Sequence, residues 1–430
     1  MKRFPKLLAI IVVLSGIFFS YTARARVYLD ITSADLRKLP VAIPPFIDPR
    51  HPDVITAKGS KMALLAGKAL ALHGFIKIIP TKSSSNDRSA DWKAMGADFV
   101  MLGNYNTGGK TGMTLEIRFI DTSDGRMIIG KRYRAPWSKQ GNMIRKFCDE
   151  VIYQLTGTMG ISNTKIAYVS DQTGSKEVYL TDILGENSRQ VTNHHSITVS
   201  PRFSPDGSEL AYTSYHRGNP DLYLTKLSQS RITRAISWRH GLNIAPAWSA
   251  NGKTMVVTLS RGGNSDLYLM TINGRIIRRL TKNNGINISP SWAPDDHRLA
   301  FVSDRGGNPQ IYIMDMRSRT TTRLTYAGDE NTTPNWSPNG KMIAYTGRVG
   351  STHQIFVIAP DGGSPTQLTR YWGDYESPSW APDSRQIIFS RSRNGKRQLC
   401  RMFIKGRAVI PIPNLKGNQA FPQWSPRLKY

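Results

Sequence analysis

Pro334-Asn-Trp336-Ser337 is one of six copies of a pattern in which a proline, any residue, an aromatic residue and then Ser or Ala follow one another. The others are Pro201-Arg-Phe203-Ser204, Pro246-Ala-Trp248-Ser249, Pro290-Ser-Trp292-Ala293, Pro378-Ser-Trp380-Ala381 and Pro422-Gln-Trp424-Ser425. Successive prolines lie 45, 44, 44, 44 and 44 residues apart. A period of this length is typical of stacked or circular repeat proteins, so it predicts the architecture of most of the chain.

Three other features keep the same period and divide each repeat into four short strands. A turn such as Ser204-Pro-Asp-Gly207 follows the aromatic motif, and proline, an Asp or Asn and then glycine favour a tight turn. An apolar strand such as Leu299-Ala-Phe-Val302 comes next, then a strand centred on an aromatic residue such as Tyr312, and then a strand that ends near Leu324. Four strands in about 44 residues predict a propeller blade.

The order of these features predicts how the ring closes. The first repeat starts with its second strand at Ile166, and the last aromatic strand, Pro422 to Pro426, has no strand after it. If these two strands pair, no strand edge stays open at the join. We therefore predict an all-β six-bladed propeller over residues 163–430, closed by the C-terminal strand.

The alternation of strand directions sorts the loops onto two faces. The loops that link successive blades share one face with the loops between the second and third strands, and the Pro-Asp-Gly turns lie on the other. The first face carries spaced arginines and linking loops rich in His, amide, acidic and aromatic groups, and its candidate binding residues are His194, His195, Arg217, His240, Asn243, Arg261, Asn287, Arg305, Glu330, Asn331, Tyr375 and Glu376. Such a rim predicts a protein-recognition surface. The alternative is that the arginines are solvated or pair with Asp304, Asp329 or Glu330.

Residues 26–160 lack the 44-residue period and alternate between strand and helix patterns. Strands are predicted at residues 27–31, 41–46, 75–79 and 97–105, and a hairpin at 113–134. Helices are predicted at residues 56–73, 89–95 and 140–156. This mixture predicts a small N-terminal α/β domain.

The N-terminus and the charge bear on location and partners. Residues 1–25 have a basic start, an apolar run at 7–19 and the small-x-small site Ala23-Arg24-Ala25, which predicts a signal peptide and a soluble exported protein, against the alternative of an uncleaved anchor. The formal net charge is +28, which favours acidic partners or anionic surfaces. Export, and the lack of any nucleic-acid-binding signature, argue against nucleic acid.

No motif in the chain predicts catalysis or a cofactor. The G-x-S-x-G elbow, the P-loop and the H-E-x-x-H pattern do not occur. The adjacent His194 and His195 lack spaced partner ligands, so an interface role is favoured over metal binding. Cys148 and Cys400 are interpreted as small buried hydrophobic residues. We predict a protein that is not an enzyme and holds no cofactor or metal.

Over nearly its whole length the chain resembles the TolB family of the Tol-Pal system. The resemblance rests on the repeated Pro-x-Trp-Ser-Pro-Asp-Gly pattern, the end Phe421-Pro-Gln-Trp-Ser-Pro426, and Leu39-Pro-Val-Ala-Ile-Pro-Pro-Phe46. It implies that the lipoprotein Pal binds the face with the linking loops, where family contact positions correspond to Ala245, Ile288 and His240 or a near neighbour. It also implies that TolA binds the mature N-terminus, which includes Arg26, Val27, Tyr28, Leu29, Asp30 and Ile31.

The resemblance implies a monomeric periplasmic adaptor that serves outer-membrane integrity and constriction at cell division. Its two binding sites would be coupled if the N-terminal segment either pairs within the small domain or is released. Two rival functions remain open at this point. One is an exported propeller that binds glycans or other polymers, and the other is the isolated propeller of a peptidase.

Overall fold

The structure is a computed structural model that describes residues 38–81, 91–108, 112–228, 233–261, 263–282 and 285–428. The predicted signal peptide, the predicted strand at residues 27–31 and the proposed binding residues 26–31 lie outside these ranges. Within the described part of the chain, no helix has both the length and the apolar character needed to cross a membrane.

The N-terminal domain is a five-stranded sheet with two helices. Its elements in chain order are β1 (Leu39–Ala42), α1 (Ala57–Ala71), β2 (Ile76–Ile79), β3 (Phe99–Asn106), β4 (Met113–Asp121), β5 (Met127–Ala135), a 3-10 turn (Trp137–Lys139) and α2 (Gln140–Thr156). The strand order is β2-β1-β3-β4-β5, with β1 parallel to both of its neighbours and β3, β4 and β5 antiparallel. The prediction of a small α/β domain is confirmed.

Local chemistry explains where these elements begin and end. Helix α1 starts after Thr56, whose Oγ1 accepts a hydrogen bond from the amide of Gly59 at 2.9 Å. Strand β1 ends at Ala42, short of the predicted residue 46, because Pro44 and Pro45 have no amide hydrogen to donate. The helix predicted at residues 89–95 is wrong over its described part: residues 92–96 form a turn that ends at Gly96, whose φ is +80°.

The propeller contains twenty-four strands among the described residues. In chain order they are β6 (Lys165–Ser170), β7 (Glu177–Asp182), β8 (Arg189–Gln190), β9 (Thr198–Phe203), β10 (Glu209–Ser214), β11 (Asp221–Lys226), β12 (Thr233–Ser237), β13 (Asn243–Trp248), β14 (Thr254–Leu259), β15 (Asp266–Thr271), β16 (Ile276–Arg279), β17 (Asn287–Trp292), β18 (Arg298–Ser303), β19 (Gln310–Asp315), β20 (Thr321–Arg323), β21 (Asn331–Trp336), β22 (Ile343–Val349), β23 (Thr352–Ala359), β24 (Gly362–Gln367), β25 (Asp374–Trp380), β26 (Gln386–Arg393), β27 (Lys396–Phe403), β28 (Ile410–Pro411) and β29 (Gln419–Trp424).

These strands form six four-stranded sheets, so the predicted six-bladed propeller is confirmed. Blade one has the order β29-β6-β7-β8, and blades two to six follow in chain order from β9 to β28. Strand β29 pairs with β6 in the register Gln419↔Ser170 and Trp424↔Ile166. The C-terminal strand therefore closes the ring by completing the first blade.

Each inner strand carries the same backbone irregularity one residue before its proline. The residues at these six positions have φ between +48° and +57°, and they are Ser200, Ala245, Ser289, Thr333, Ser377 and Phe421. The register against the second strand shifts at the same place in every blade. A following proline disfavours the right-handed helical region, and the bulge bends the strand where it lines the propeller axis.

The N-terminal domain docks on blades one and six through their turns. Arg145 Nη2 of α2 donates to Asp182 Oδ2 of blade one at 3.0 Å, and both side chains are buried. Gln386 Nε2 of blade six donates to the carbonyl of Leu72 at 3.1 Å. These contacts lie on the side of the propeller that carries the Pro-Asp-Gly turns, so the domain leaves the opposite face uncovered.

Candidate protein-binding face

The face opposite the N-terminal domain is formed by two sets of loops, which we call together the linking face. The sets are the loops between successive blades and the loops between the second and third strands of each blade. Direct hydrogen bonds join them: Asp304 Oδ1 accepts from the amide of Ile286 at 2.6 Å, and the amide of Arg348 donates to the carbonyl of Glu330 at 2.8 Å. The prediction that both sets share one face is confirmed.

In blades one, three, four and five, a buried acid or amide at the start of the third strand holds the linking loop. Glu177 Oε1 accepts from the amides of His194 and His195 at 2.6 and 2.7 Å. Gln354 Nε2 donates to the carbonyls of Tyr371 and Gly373, each at 3.2 Å. The corresponding residues of successive blades are spaced 44, 45, 44 and 44 apart and are Glu177, Asp221, Asp266, Gln310 and Gln354. Their regular spacing is the sequence signal that could have identified them.

Four of the predicted site residues are buried beneath the loops of this face and stabilise them through hydrogen bonds. Asn243 Nδ2 donates to the carbonyl of Arg239 at 2.6 Å, and Asn331 Nδ2 donates to Gln310 Oε1 at 2.8 Å. The other two accept hydrogen bonds from arginines: Asn287 Oδ1 accepts from Arg305 Nη2, and the Tyr375 hydroxyl accepts from Arg393 Nη2. All four side chains are at most 2% exposed, so they shape the face without forming its surface.

Other predicted residues form the surface itself. His195, Arg217, His240 and Arg261 are exposed. Arg305 is half-buried, with its guanidinium carbon 4.8 Å from the centre of the Tyr312 ring. Arg305 therefore stiffens blade four, while the exposed arginines carry the charge that a partner would meet.

Three predicted residues lie on the inner strands near the axis. Ala245, Ile288 and Glu376 are half-buried on β13, β17 and β25. The carboxylate of Glu376 lies 3.6 Å from Arg397 Nη2. Glu330, also half-buried, lies 3.9 Å from His353 Nε2. The structure thus brings the predicted residues onto one side of the propeller, some in the loops and some at the axis.

His194 belongs to a cluster of rings on blade two. Its Nδ1 lies 2.7 Å from Ser214 Oγ, and its ring centre lies 4.6 Å from that of His216. Burial lowers the pKa of His194, and the nearby His216 lowers it further, while Glu177 acts in the opposite direction. A neutral imidazole at physiological pH follows, and it packs against Tyr223 with 5.6 Å between ring centres.

Sequence reasoning missed most of the exposed apolar residues on this face. Among the described propeller residues, seven of the eight exposed large apolar side chains lie on this face, in its loops or at the end of a strand beside them, namely Ile197, Trp238, Ile286, Tyr326, Val349, Tyr371 and Trp372. The eighth, Ile277, lies on an outer strand. Single aromatic residues in polar loops give no periodic signal, so only the assembled face reveals that they cluster.

The described residues contain neither a candidate metal site nor an exposed cysteine. No group of three or more His, Cys, Asp or Glu side chains there has an arrangement that could hold a metal ion. Cys148 and Cys400 are buried and free, as their interpretation as small hydrophobic residues predicted. Burial raises the pKa of both thiols, which reduces the reactive thiolate.

Comparison with known proteins covers both domains. The family model of the TolB beta propeller domain matches residues 152–428, and that of the TolB amino-terminal domain matches residues 27–128. The Tol-Pal system protein TolB of Desulfotalea psychrophila is 44% identical over 231 residues, which cover 54% of this chain and 52% of that relative. The protein of the same name from Desulfosudis oleivorans is 38% identical over 245 residues, 54% of each chain. The chain therefore spans about half the length of the curated relatives it matches.

Solved structures extend the likeness to the whole fold. The crystal structure of TolB from Acinetobacter baumannii superposes with a TM-score of 0.79 at 26% identity, covering 91% of this chain and 97% of that one. A putative TolB from Agrobacterium tumefaciens, at 22% identity and a TM-score of 0.51, covers 60% of this chain and shares the fold. On the match of the propeller model over more than half of its residues, the chain belongs to the TolB family.

Proposed function

We propose that this TolB-family protein is a periplasmic adaptor without enzymatic activity. Its linking face binds a Pal-like outer-membrane lipoprotein, and its mature N-terminus, from Arg26 to Ile31, binds a TolA-like inner-membrane protein. Through these two partners it serves outer-membrane integrity and constriction at cell division. Periplasmic location is supported by the predicted signal peptide and by the Tol-Pal names of its relatives.

One observation carries the proposal for the lipoprotein: the exposed apolar side chains of the propeller concentrate on the face that the N-terminal domain leaves free. Trp238, Tyr326 and Trp372 are 63%, 73% and 64% exposed. Aromatic residues in contact with water at this density are typical of protein-binding surfaces, where they supply much of the binding energy. The turn face has no comparable group among the described residues.

Neighbouring arginines hold two of these aromatic residues in place. Arg393 Nε donates to the carbonyl of Trp372 at 2.7 Å, and its guanidinium carbon lies 5.9 Å from the centre of the Trp372 ring. Arg323 stacks on Tyr326 with 4.9 Å between the guanidinium carbon and the ring centre. An aromatic side chain that is already ordered loses less entropy on binding, which favours its use as an anchor.

The proposed second site lies at the start of the mature chain. Residues 26–31 precede β1, and β1 lies between β2 and β3 in the sheet of the N-terminal domain. Release or capture of this segment would act on a domain that is joined to the propeller by the buried Arg145–Asp182 pair. This buried ion pair between the two domains supports the proposed coupling between the two partner sites.

The linking face is tested by replacing its three most exposed aromatic residues. The protein with Trp238→Ala, Tyr326→Ala and Trp372→Ala is expected to bind the Pal-like lipoprotein of its own organism at least about 100-fold more weakly, since loss of anchors commonly costs about 2 kcal/mol each. Binding is measured by titration calorimetry with the soluble domain of the lipoprotein. The control is Ile277→Ala, an exposed apolar residue outside the face.

The outcomes separate the adaptor from its rival. Unchanged affinity in the triple variant would exclude the linking face as the lipoprotein site. An exported glycan-binding propeller, the second candidate, uses aromatic residues in the same way but would bind cell-wall glycan and not the lipoprotein. If the unmodified protein retains glycan and fails to bind the lipoprotein, the adaptor proposal is wrong.

A further inference from the structure

The turn end of the propeller axis contains a cavity of about 480 Å³. All six inner strands contribute to its wall, and five prolines that follow these strands surround it: Pro205, Pro294, Pro338, Pro382 and Pro426. The tryptophans of five inner strands also line it, namely Trp248, Trp292, Trp336, Trp380 and Trp424. This cavity lies at the opposite end of the axis from the linking face and is not part of the site proposed above.

A belt of hydrogen bonds joins neighbouring blades around this cavity. Ser291 Oγ accepts from the amide of Trp336, and Ser379 Oγ accepts from the amide of Trp424, each at 3.0 Å. Asn335 Oδ1 and Gln423 Oε1 accept from the next blade in the same way. The belt position therefore calls for a side chain that can accept a hydrogen bond, and four of the six blades provide one.

Arg202 occupies the belt position of blade two and breaks the pattern. A guanidinium group has donors only, so Arg202 cannot accept from the next blade. It is half-buried and lines the cavity, and among the described residues its guanidinium makes one hydrogen bond, from Nη1 to the carbonyl of its neighbour Pro201 at 2.9 Å. No salt bridge to Arg202 occurs in the described part of the chain.

The charge around Arg202 is uncompensated. The cavity wall contains two arginines, Arg202 and Arg427, and no acidic residue. Arg427 has the carboxylates of Asp383 and Asp149 nearby, whereas burial alone lowers the pKa of Arg202, to about 10. At neutral pH Arg202 stays charged, and a cation partly removed from water without a counter-ion is costly unless an anion joins it.

A second unsatisfied donor lies in the same wall. The indole Nε1 of Trp292 is buried and has no hydrogen-bond partner among the described residues, whereas Trp248 Nε1 and Trp380 Nε1 donate to carbonyls of the preceding blade. An oxygen-rich ligand would supply what this donor and Arg202 both lack. Buried donors without acceptors are uncommon in native structures and call for an explanation.

We propose that the cavity at the turn end of the axis binds a small oxyanion, a carboxylate or a phosphate group, through the guanidinium of Arg202. The planar fork of Arg202 suits two oxygens of such a group, and Arg427 adds positive potential at the wall. The site is independent of partner binding on the linking face, because its residues belong to the other end of the axis.

The test uses the unmodified protein and the Arg202→Gln variant, with inorganic phosphate and succinate as separate probes at constant ionic strength. Gln is chosen because Gln423 occupies the same belt position in blade one, so the variant is compatible with the fold. Five of the nine tryptophans line the cavity wall, so their fluorescence contributes to the signal that reports binding there, and calorimetry gives the affinity. We expect a dissociation constant of about 1 mM or tighter for at least one probe, weakened at least tenfold by Arg202→Gln.

Arg217→Gln, which removes an exposed arginine of the linking face, is the matched control and is expected to leave anion binding unchanged. Binding of phosphate alone or of succinate alone supports the site and assigns its chemical class. The proposal is overturned if the unmodified protein binds neither probe, or if Arg202→Gln and Arg217→Gln bind as tightly as the unmodified protein.

Discussion

His73 Nε2 accepts a hydrogen bond of 3.1 Å from the backbone amide of Ile161, and this bond ties the N-terminal domain to the segment that leads into the propeller. His73 follows α1 and is 2% exposed, and its Nδ1 lies 3.2 Å from the carbonyl of Leu70. The ring therefore has to be neutral, with the hydrogen on Nδ1 and the lone pair on Nε2. Protonation would turn the acceptor into a donor that faces another donor.

The first prediction concerns the pH dependence of stability. Burial is the main cause that lowers the pKa of His73 from 6.5 to about 4 in the folded protein, and the nearby Arg385 and Arg401 lower it further. Since the unfolded chain binds the proton more readily, the contribution of His73 to the free energy of unfolding is full above pH 6.5 and falls as the pH drops from 6.5 to 4. The total contribution is about 3 kcal/mol. Urea unfolding at a series of pH values measures it.

His73→Gln provides the matched control for this prediction. The side-chain oxygen of Gln can accept from the Ile161 amide but does not titrate. The variant should lose the part of the pH dependence between pH 4 and 6.5 that His73 causes. If its unfolding free energy falls with pH as steeply as that of the unmodified protein, His73 is not the group responsible.

The second prediction concerns the ion pair that joins the two domains. Arg145→Met leaves the carboxylate of Asp182, which is 0% exposed in the pair, without its cation. The expected loss of unfolding free energy is about 3 kcal/mol, because an unpaired buried charge is strongly destabilising. Arg132→Met, which removes a pair to Glu116 whose side chains are 62% and 39% exposed, should cost less than about 1 kcal/mol. Equal losses in the two variants would contradict a structural role for the buried pair.

The architecture could be predicted from the sequence because each blade repeats the same pattern of buried apolar side chains. The positions of Trp336, Tyr345 and Phe356 recur every 44 residues, and each recurrence supports the others. Ring closure followed from the missing strands at the two ends of the repeat region. By contrast, the helix expected near residue 92 had no repeated partner to support it, and a short amphipathic pattern can form a turn as well as a helix.

The surface of the linking face was harder to predict, because a polar residue in a loop can be either buried and hydrogen-bonded or exposed to solvent. Asn243 and Arg217 both occur at repeat positions, yet the first is buried with its amide satisfied and the second is exposed. Asn287 and Asn331, at the same position in the next blades, are buried against Asp266 and Gln310, which no local pattern connects to the loops. Exposed aromatic residues such as Tyr326 have no period at all.

The third prediction concerns the role of charge in partner binding and depends on the proposed function. Reversing two exposed arginines of the linking face, with Arg217→Glu and Arg261→Glu, should slow association with an acidic surface of the lipoprotein about tenfold at low salt. The difference should shrink as salt is raised, since screening removes long-range attraction. Arg275→Glu, an exposed arginine of a turn outside the face, is the control. A rate that is independent of salt in all variants would contradict this role.

The fourth prediction concerns coupling between the two proposed partner sites. Removal of residues 26–36 is expected to abolish binding of the TolA-like partner, because the deletion removes its proposed site. If the segment also biases the state of the N-terminal domain, the affinity of the linking face for the lipoprotein should change about fivefold or more. Calorimetric titration with each partner separately measures both effects. Unchanged affinity for both partners would rule out the coupling and the N-terminal site together.

The last prediction uses the belt of hydrogen bonds around the propeller axis. Ala247 occupies the belt position of blade three and is 6% exposed, close to the 8% of Ser291 and the 4% of Ser379, whose hydroxyls accept from the next blade. Ala247→Ser should therefore supply an acceptor to the amide of Trp292 and stabilise the protein by about 1 kcal/mol. Ser291→Ala should destabilise it by about 1 to 2 kcal/mol, since it leaves the amide of Trp336 without an acceptor.

The two belt variants add or remove one hydroxyl group, so we expect opposite changes in stability. Thermal and urea unfolding measure them. If the belt contributes to stability, the midpoint of unfolding rises in one variant and falls in the other, and the protein with both changes lies between them. A loss of stability in both single variants would mean that steric fit at the axis, and not hydrogen bonding between blades, decides which residue each blade carries at this position.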